Sequence, residues 1–350
     1  MDIIARQGLT DMGTTTDNLS DKSSGKKADA NTASNTLINV GISACLLGQP
    51  VRYNGGHSRS KLCLNEHNRY FNYRSFCPEV AAGFGTPRPT LRLVGDLKAP
   101  RLVFSDDQSK DVTAQLNQAI EPVMDSLADL DGYILMKNSP SCGLERIKVY
   151  NDNGNPMTDK TRGLFTTALQ QRYPSLPIEE EARLNDARLR ENFLLRVFSH
   201  HQFRQQVDSQ LSLKALMHFH RDYKYVLMAH HQREYRALGQ LLAQTQRGCD
   251  LSGVRNQYHH RFMAALSKPA SRENHCNVLL HILGYLKRSV ESSVRQEMVG
   301  LINRYRRGEV NLATPMTLLD HYVQRFGGDY IRSQRYLQPY PAELGLNNLL

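Results

Sequence analysis

Three apolar runs in the first half of the chain are too short to be helices, and each stops abruptly. They are Leu37-Ile38-Asn39-Val40-Gly41-Ile42-Ser43, Ser75-Phe76-Cys77-Pro78 and Gly132-Tyr133-Ile134-Leu135-Met136. Each breaks into Gly, Pro or Ser, the pattern of a buried strand that feeds a loop. Pro78 has no N–H to give to a ladder, so it ends the second run. Between the second and third runs, Val112, Leu116, Ala119, Ile120, Val123, Met124 and Leu127 recur at steps of three and four. That spacing predicts an amphipathic helix over 112–130. Strands alternating with helices confine this half to a Rossmann-like α/β domain, whose sites form at the carboxyl ends of the strands.

The remaining elements of this half are a helix around 59–71, a strand at 101–104, a strand at 146–150 and a helix at 161–171. Residues 1–36 are rich in Thr, Asp, Ser, Asn and Lys and cannot bury enough surface to offset chain entropy, so a disordered tail is expected there. Pro174 and Pro177 mark a boundary. Glu179-Glu180-Glu181 would suit the positive end of a new helix. From 185 to about 325 the periodicity is helical throughout, with helices near 186–206, 210–231, 233–246, 253–266, 274–291, 293–307 and 315–325. The expected organisation is a tail over 1–36, an α/β catalytic domain over 37–172 and an all-α domain over 180–350.

Charge separates the two halves. Residues 1–170 hold 19 Lys+Arg against 18 Asp+Glu, whereas residues 171–350 hold 25 against 16 and carry 11 of the 13 histidines. Nearly all of the net charge of +10 therefore lies in the helical half. A basic half beside a neutral one points to a polyanionic partner; a solvated basic surface is the plain alternative. No apolar run approaches a membrane span, and the N-terminus shows no signal-peptide core. Six cysteines are too few for a disulfide scaffold in a chain of 350 residues, so a soluble protein of the reducing cytoplasm is expected.

Three of those cysteines, Cys45, Cys77 and Cys142, sit in the loops that end the three apolar runs. No Cys-x-x-Cys pair occurs, which argues against a zinc finger or a thioredoxin-like site. A single buried thiol is ordinarily a small core residue. Three in strand-end loops are placed where sites form. Three thiolates can hold zinc, or an iron–sulfur cluster with one iron left open, and either presents a Lewis-acidic metal to substrate. Glu79, two residues after Cys77, is a candidate general base if the strand direction persists, and otherwise an ordinary exposed carboxylate. Ser139 can touch a ligand or simply serve its turn. Cys63, Cys249 and Cys276 are taken as structural.

Ser43-Ala44-Cys45-Leu46-Leu47-Gly48, Val51-Arg52-Tyr53 with Gly55-Gly56, Cys77-Pro78-Glu79-Val80-Ala81-Ala82-Gly83 and Ser139-Pro140-Ser141-Cys142-Gly143 together resemble the thiouracil desulfidase (TudS) family over about residues 37–170. The resemblance implies a 4Fe–4S cluster held by Cys45, Cys77 and Cys142, whose fourth iron takes the substrate's sulfur. Glu79 and Ser139 match the family's catalytic pair. Arg52, Tyr53, Lys137 and Ser141, within or beside these motifs, are the candidates to bind substrate. Asn54 stands where many members have Asp and is given no acid–base role.

In the helical half the densest stretch is His218-Phe219-His220-Arg221-Asp222-Tyr223-Lys224-Tyr225-Val226-Leu227-Met228-Ala229-His230. On a continuous helix His220, Lys224 and His231 share one face, and His218, Arg221 and Tyr225 another. Such a face suits phosphates and stacked bases; a polar seam between helices is the alternative. This stretch and Asn277–Lys287 resemble the helical domain of unknown function fused behind the desulfidase domain in many members. The fused form is similar to tRNA 4-thiouridine desulfidases of the RudS type. That implies conversion of 4-thiouridine in tRNA to uridine with release of hydrosulfide, and RNA contacts from His218, His220, Arg221, Lys224 and His231. The alternative is desulfidation of free thiouracil or 4-thiouridine monophosphate, with the helical half serving oligomerisation or regulation. The oligomeric state is open.

Overall fold

A computed structural model of the chain describes residues 37–151, 153–246, 248–341 and 344. The expected tail lies outside the described residues. Strands run in the order β1 (Ile38–Ser43), β2 (Phe71–Phe76), β3 (Leu91–Gly95), β4 (Pro100–Phe104), β5 (Gly132–Leu135), β6 (Ile147–Tyr150), β7 (Pro156–Thr161) and β8 (Ile178–Glu180). The helices of the first half are α1 (Pro78–Ala81), α2 (Thr113–Met124) and α3 (Leu164–Arg172). Those of the second are α4 (Ala187–Phe203), α5 (Leu213–Asp222), α6 (Lys224–His230), α7 (Gln232–Gln244), α8 (Leu251–Ala265), α9 (Arg272–Tyr285), α10 (Ser292–Arg307), α11 (Ala313–Phe326) and α12 (Asp329–Arg332). An α/β half followed by an all-α half is therefore the observed architecture.

The three apolar runs become neighbours. One sheet has the order β2-β1-β5-β8, with every pair parallel. The chain leaves β1 toward β2 on one side and later returns to β5 on the other, so β1 and β5 flank a topological switch point. Gly41 lies opposite Tyr133, whose ring passes where a Cβ would stand, 2.2 Å away. A side chain at position 41 would displace the ring, which is why glycine interrupts this otherwise bulky strand.

Alternation along β1 separates two cores. Ile38, Val40 and Ile42 point into the larger one, shared with Phe193, Leu194 and Val197 of α4 and with the helices that follow. The opposite face of the sheet is covered by α2 and α3 through Leu116, Ile120, Phe165 and Leu169, together with Tyr133 and Leu135. Each large side chain so buried contributes roughly 1.5–3 kcal/mol. A Cβ on Gly132 would meet Val197 at 2.7 Å, so α4 presses directly on β5. The described residues from Leu37 onward accordingly form one compact unit. A second, mixed sheet has the order β4-β3-β6-β7 and shares the smaller core with the first through Leu93, Leu102 and Val149.

Several expectations need correction. The helix around 59–71 shrinks to one wide turn at Leu62–Glu66, and the chain is already extended at Phe71. Glu179 and Glu180 do not open a helix. They finish β8, where Glu179 pairs in register with Ile134 and is buried against Arg183 at 2.7 Å and Arg196 at 4.0 Å. The helix begins at Ala187, capped by the Asp186 carboxylate, which accepts from the backbone N–H groups of Arg188 and Leu189. The expected helix over 210–231 is broken at Tyr223, whose fully buried side chain marks the turn between α5 and α6. Strands β3 and β7 were not expected.

Candidate active site

Adjacent parallel strands bring their carboxyl ends to one edge, and three of the four, β1, β2 and β5, each deliver a thiol there. Cys45 lies in the tight turn Ala44–Leu47 directly after β1, closed by Gly48 in the left-handed region at φ 92°. Cys77 follows β2 and caps α1, its carbonyl accepting from Ala81 N–H at 3.0 Å. Cys142 sits in the loop after β5. That loop is fastened to the start of α3: Pro140 and Ser141 carbonyls accept from Leu164 and Phe165 N–H at 3.1 and 3.0 Å, and the Cys142 carbonyl accepts from Thr166 Oγ1 at 2.7 Å. The otherwise unpartnered N–H groups of the helix start are thereby satisfied. A Cβ on Gly163 would lie 2.4 Å from Ser141 O, so only glycine lets the two segments approach.

The three thiols line a cavity of about 380 Å³ with Glu79, Ser139, Arg52, Tyr53, Lys137 and Arg88. Burial pushes the Cys45 thiol up to about 11, and the nearby Cys77 adds to this. Burial likewise raises Cys77 and Cys142, the latter reinforced by Glu79 and Cys77. The Ser43 hydroxyl hydrogen-bonds the Cys142 sulfur and opposes that rise. Three thiols kept protonated by burial become ligands when a metal supplies the positive charge that lets them ionise. Among the described residues no three of His, Cys, Asp and Glu are grouped so as to hold a single metal ion. A polynuclear cluster places each thiol on its own iron and does not require the sulfurs to converge on one point.

Glu79 is the most tightly held polar group of the cavity. It lies in the helical turn α1 and not on an extended strand, so the strand-direction argument for its placement does not apply. Its Oε2 accepts from Arg88 Nε at 3.1 Å and from Arg88 Nη2. Arg88 is buried, and its Nη1 also donates to the carbonyls of Val51 and Gly85 at 3.1 and 2.8 Å. The other oxygen, Oε1, accepts from Ser139 Oγ at 3.3 Å. Ser139 Oγ in turn accepts from the N–H groups of Ser141 and Cys142 at 3.2 and 3.0 Å. The two readings of Ser139 are thus one arrangement: its hydroxyl organises the Cys142 turn and points its proton at Glu79. Asn138 just before it holds φ 57°, a left-handed conformation that Asn tolerates better than most residues.

Arg52 and Tyr53 stand at the mouth, the guanidinium 5.8 Å from the ring centre, and Tyr53 is 42% exposed. Lys137 is exposed beside them. Ser141 is fully buried, does not line the cavity, and its hydroxyl has no partner among the described residues. Asn54 closes the mouth turn, accepting from Gly56 N–H at 3.1 Å. The sequence assigns no site role to Arg88, or to Ser43 beyond its place in the first motif. Arg88 lies in the loop that follows α1 and stands between Pro87 and Pro89, a fixed backbone that is the available signal.

The helical candidates do not form one face, because the break at Tyr223 turns α6 away from α5 and His231 lies beyond α6. His218 and His231 are exposed, and His231 caps α7 by accepting from Glu234 N–H at 3.3 Å. Arg221 pairs with Asp222 at 2.9 Å. His220 stacks on Tyr235, with ring centres 5.6 Å apart, and burial lowers it to about 4. Lys224 places its ammonium 5.1 Å from the Tyr225 ring and 5.9 Å from the Tyr330 ring.

Residues 40–181 match the family described as 2-thiouracil desulfurase, and residues 224–341 match DUF1722, described as a protein of unknown function. The chain is 34% identical over 165 residues to YbgA of Escherichia coli (strain K12), an uncharacterized protein, with 47% of this chain and 98% of that one covered. It is 31% identical over 157 residues to YbbK of Bacillus subtilis (strain 168), also uncharacterized, with 41% and 97% covered. Among solved structures, a 4Fe–4S-dependent thiouracil desulfidase, TudS, is 32% identical, with 43% of this chain and 94% of that one covered and a TM-score of 0.33.

Proposed function

The chain belongs to the 2-thiouracil desulfurase family, and from that premise we propose that it is a desulfidase converting 4-thiouridine in tRNA to uridine with release of hydrosulfide. Cys45, Cys77 and Cys142 hold a 4Fe–4S cluster. When bound, such a cluster with one iron free of protein ligands supplies a soft acceptor for the thiocarbonyl sulfur.

The observation that carries this reading is the placement of Glu79. Arg88 occupies one carboxylate oxygen and leaves the other, Oε1, with Ser139 at the wall of the three-thiol cavity. Oε1 takes a proton from a water that adds to C4 of the pyrimidine. Ser139 fixes the direction of that oxygen, and Arg88 prevents the carboxylate from rotating away. Arg52, Tyr53 and Lys137 receive the ribose and phosphate at the mouth, with the Tyr53 ring available for stacking. The sum of the steps is thiocarbonyl plus water giving carbonyl plus hydrogen sulfide, with no net electron transfer. The tRNA preference is supported by the excess of 25 Lys+Arg over 16 Asp+Glu in residues 171–350.

The test is anaerobic reconstitution followed by loss of the 4-thiouridine absorbance from tRNA, run beside free 4-thiouridine monophosphate. Turnover of tRNA at a higher kcat/KM, with binding that falls steeply as salt rises, is the expected result. Turnover of the free nucleotide alone would assign the small-molecule substrate, and turnover of neither would remove the reading.

A further inference from the structure

A second and larger cavity lies at the opposite edge of the same sheet. It has a volume of about 660 Å³ and is walled by the segments that lead into β5 and β8, by the end of α4 and by α8. Since β1, β5 and β8 run parallel, these segments mark the amino edge, while the thiols mark the carboxyl edge. A strand the length of β1 separates the two edges by about 20 Å.

The polar lining of this cleft includes three arginines and three histidines against one carboxylate. Arg172 comes from the α/β half, and Arg204, Arg255, His200, His259 and His260 come from the helical half. Carboxylates hold the arginines in place: Asp125 meets Arg172 at 2.6 Å, Asp131 meets Arg204 at 3.2 Å, and Asp208 accepts from Arg255 Nε at 2.8 Å. Of these three, only Asp208 lines the cleft. Arg204 uses Nη1 on Asp131 and on Leu130 O, and its Nε and Nη2 make no hydrogen bond among the described residues. His259 stacks on Phe203 at 4.4 Å with its ring 5.0 Å from that of His200. It is 6% exposed, and its Nε2 is buried with no partner among the described residues. Burial first, then the electrostatic influence of the surrounding His200, Arg255, Arg204 and His260, lowers its imidazole well below the ordinary range. A buried ring nitrogen without a partner is unfavourable, and an acceptor oxygen would relieve it in the tautomer that carries the proton on Nε2.

We propose that this cleft is a phosphate-binding site for the RNA backbone, gripping the polynucleotide at the amino edge while its thiolated base lies at the carboxyl edge. The geometry favours a polymer because no small ligand spans both cavities, and because the two walls of the cleft belong to the two halves of the chain. Guanidinium groups already oriented by carboxylates lose little freedom on meeting a phosphate. The inference rests on the RNA reading above for the identity of the polymer, and on the cleft alone for the chemistry.

Binding of labelled tRNA that lacks 4-thiouridine tests it, with inorganic phosphate and adenosine 5′-monophosphate measured in parallel by calorimetry. Arg172→Ala and His260→Ala remove exposed groups, and His259→Phe keeps the stack on Phe203 while removing the nitrogen. Melting curves verify that each is folded. The expected result is about three- to tenfold weaker tRNA binding for Arg172→Ala and His259→Phe, with a log–log salt slope shallower by about one for Arg172→Ala. Arg307→Ala, an equal charge loss on α10, should change neither. Unchanged tRNA binding with loss of adenosine monophosphate binding would keep the phosphate chemistry and assign it to a free nucleotide. Wild-type binding of both probes by all three variants, or binding of neither by the parent chain, overturns the site. If tRNA binds through the cleft but keeps its sulfur, the proposed reaction fails and the cleft stands.

Discussion

The two edges of the parallel sheet are built from the same strands and do opposite things with charge. At the carboxyl edge, Cys45, Cys77 and Cys142 are buried thiols raised by desolvation, and the one carboxylate lining the cavity is locked to a buried arginine. At the amino edge, Asp131 stands at the start of β5 and accepts from His200 Nδ1 at 2.9 Å, His201 Nδ1 at 2.7 Å and Arg204 at 3.2 Å. Burial alone would raise Asp131, but the hydrogen bonds from His200 and His201 hold it at about 2. The carboxyl edge is thus poised for a group that brings its own positive charge. At the amino edge the Asp131 carboxylate is already matched by His200, His201 and Arg204, and these contacts join the two halves of the chain. Chemistry and cohesion are segregated along one set of strands.

Removing Cys45 should break this contrast most completely. Cys45→Ala is expected to retain no cluster and no activity, measured as iron per chain and visible absorbance after anaerobic reconstitution. Glu79→Ala should keep the iron and lose about 10²–10⁴ in kcat. A colourless, fully active Cys45→Ala protein would refute the assignment of that edge. At the other edge, Asp131→Asn is expected to cost about 3–5 kcal/mol of stability, because two histidines and an arginine lose a buried partner. The folded carboxyl titrates near 2, below its unfolded value of about 3.9. Its contribution is therefore whole above about pH 4 and lost as the pH falls toward 2. The deficit of the variant in urea melts should be greatest at neutral pH and close on acidification; a deficit independent of pH would show that Asp131 acts through packing alone. The smallest effect expected is that of Arg88→Lys, about ten- to a hundredfold in kcat, since an ammonium cannot reproduce the forked contact. Equal losses from Arg88→Lys and Glu79→Ala would mean that Arg88 does more than hold the carboxylate.

The carboxyl edge was largely legible in advance because its signals are local. Short apolar runs that end in Gly, Pro or Ser announce strand ends, and each of three such ends carried a thiol. Arg88 escaped because an arginine in a loop ordinarily reads as solvated, and nothing in the spacing says that its guanidinium folds back on Glu79. Asp131 escaped for a different reason: its partners are 69 and 70 residues away on α4, and a single acidic residue before a strand has no pattern of its own. Strand β7 reads Pro-Met-Thr-Asp-Lys-Thr and is mostly exposed, so it lacks the alternation that reveals a half-buried strand. In β8 the acidic residues imitate a helix start, and only the arginines of later elements make their burial tolerable. The helical periods were clear, but the break at Tyr223 was not, since a buried aromatic suits a continuous helix equally well.

Arg88 also touches the mouth loop: its backbone N–H donates to Tyr53 O at 2.8 Å, and its side chain donates to Val51 O. One residue therefore clasps the loop that would recognise a substrate and the carboxylate that would act on it. Because both contacts are to main-chain oxygens, a substitution that moves the backbone of the mouth loop would be transmitted through Arg88 to Glu79. Substitutions at the mouth and at Arg88 should accordingly be strongly non-additive, and the routes by which this scaffold acquires new specificities are narrowed to those that leave the clasp closed.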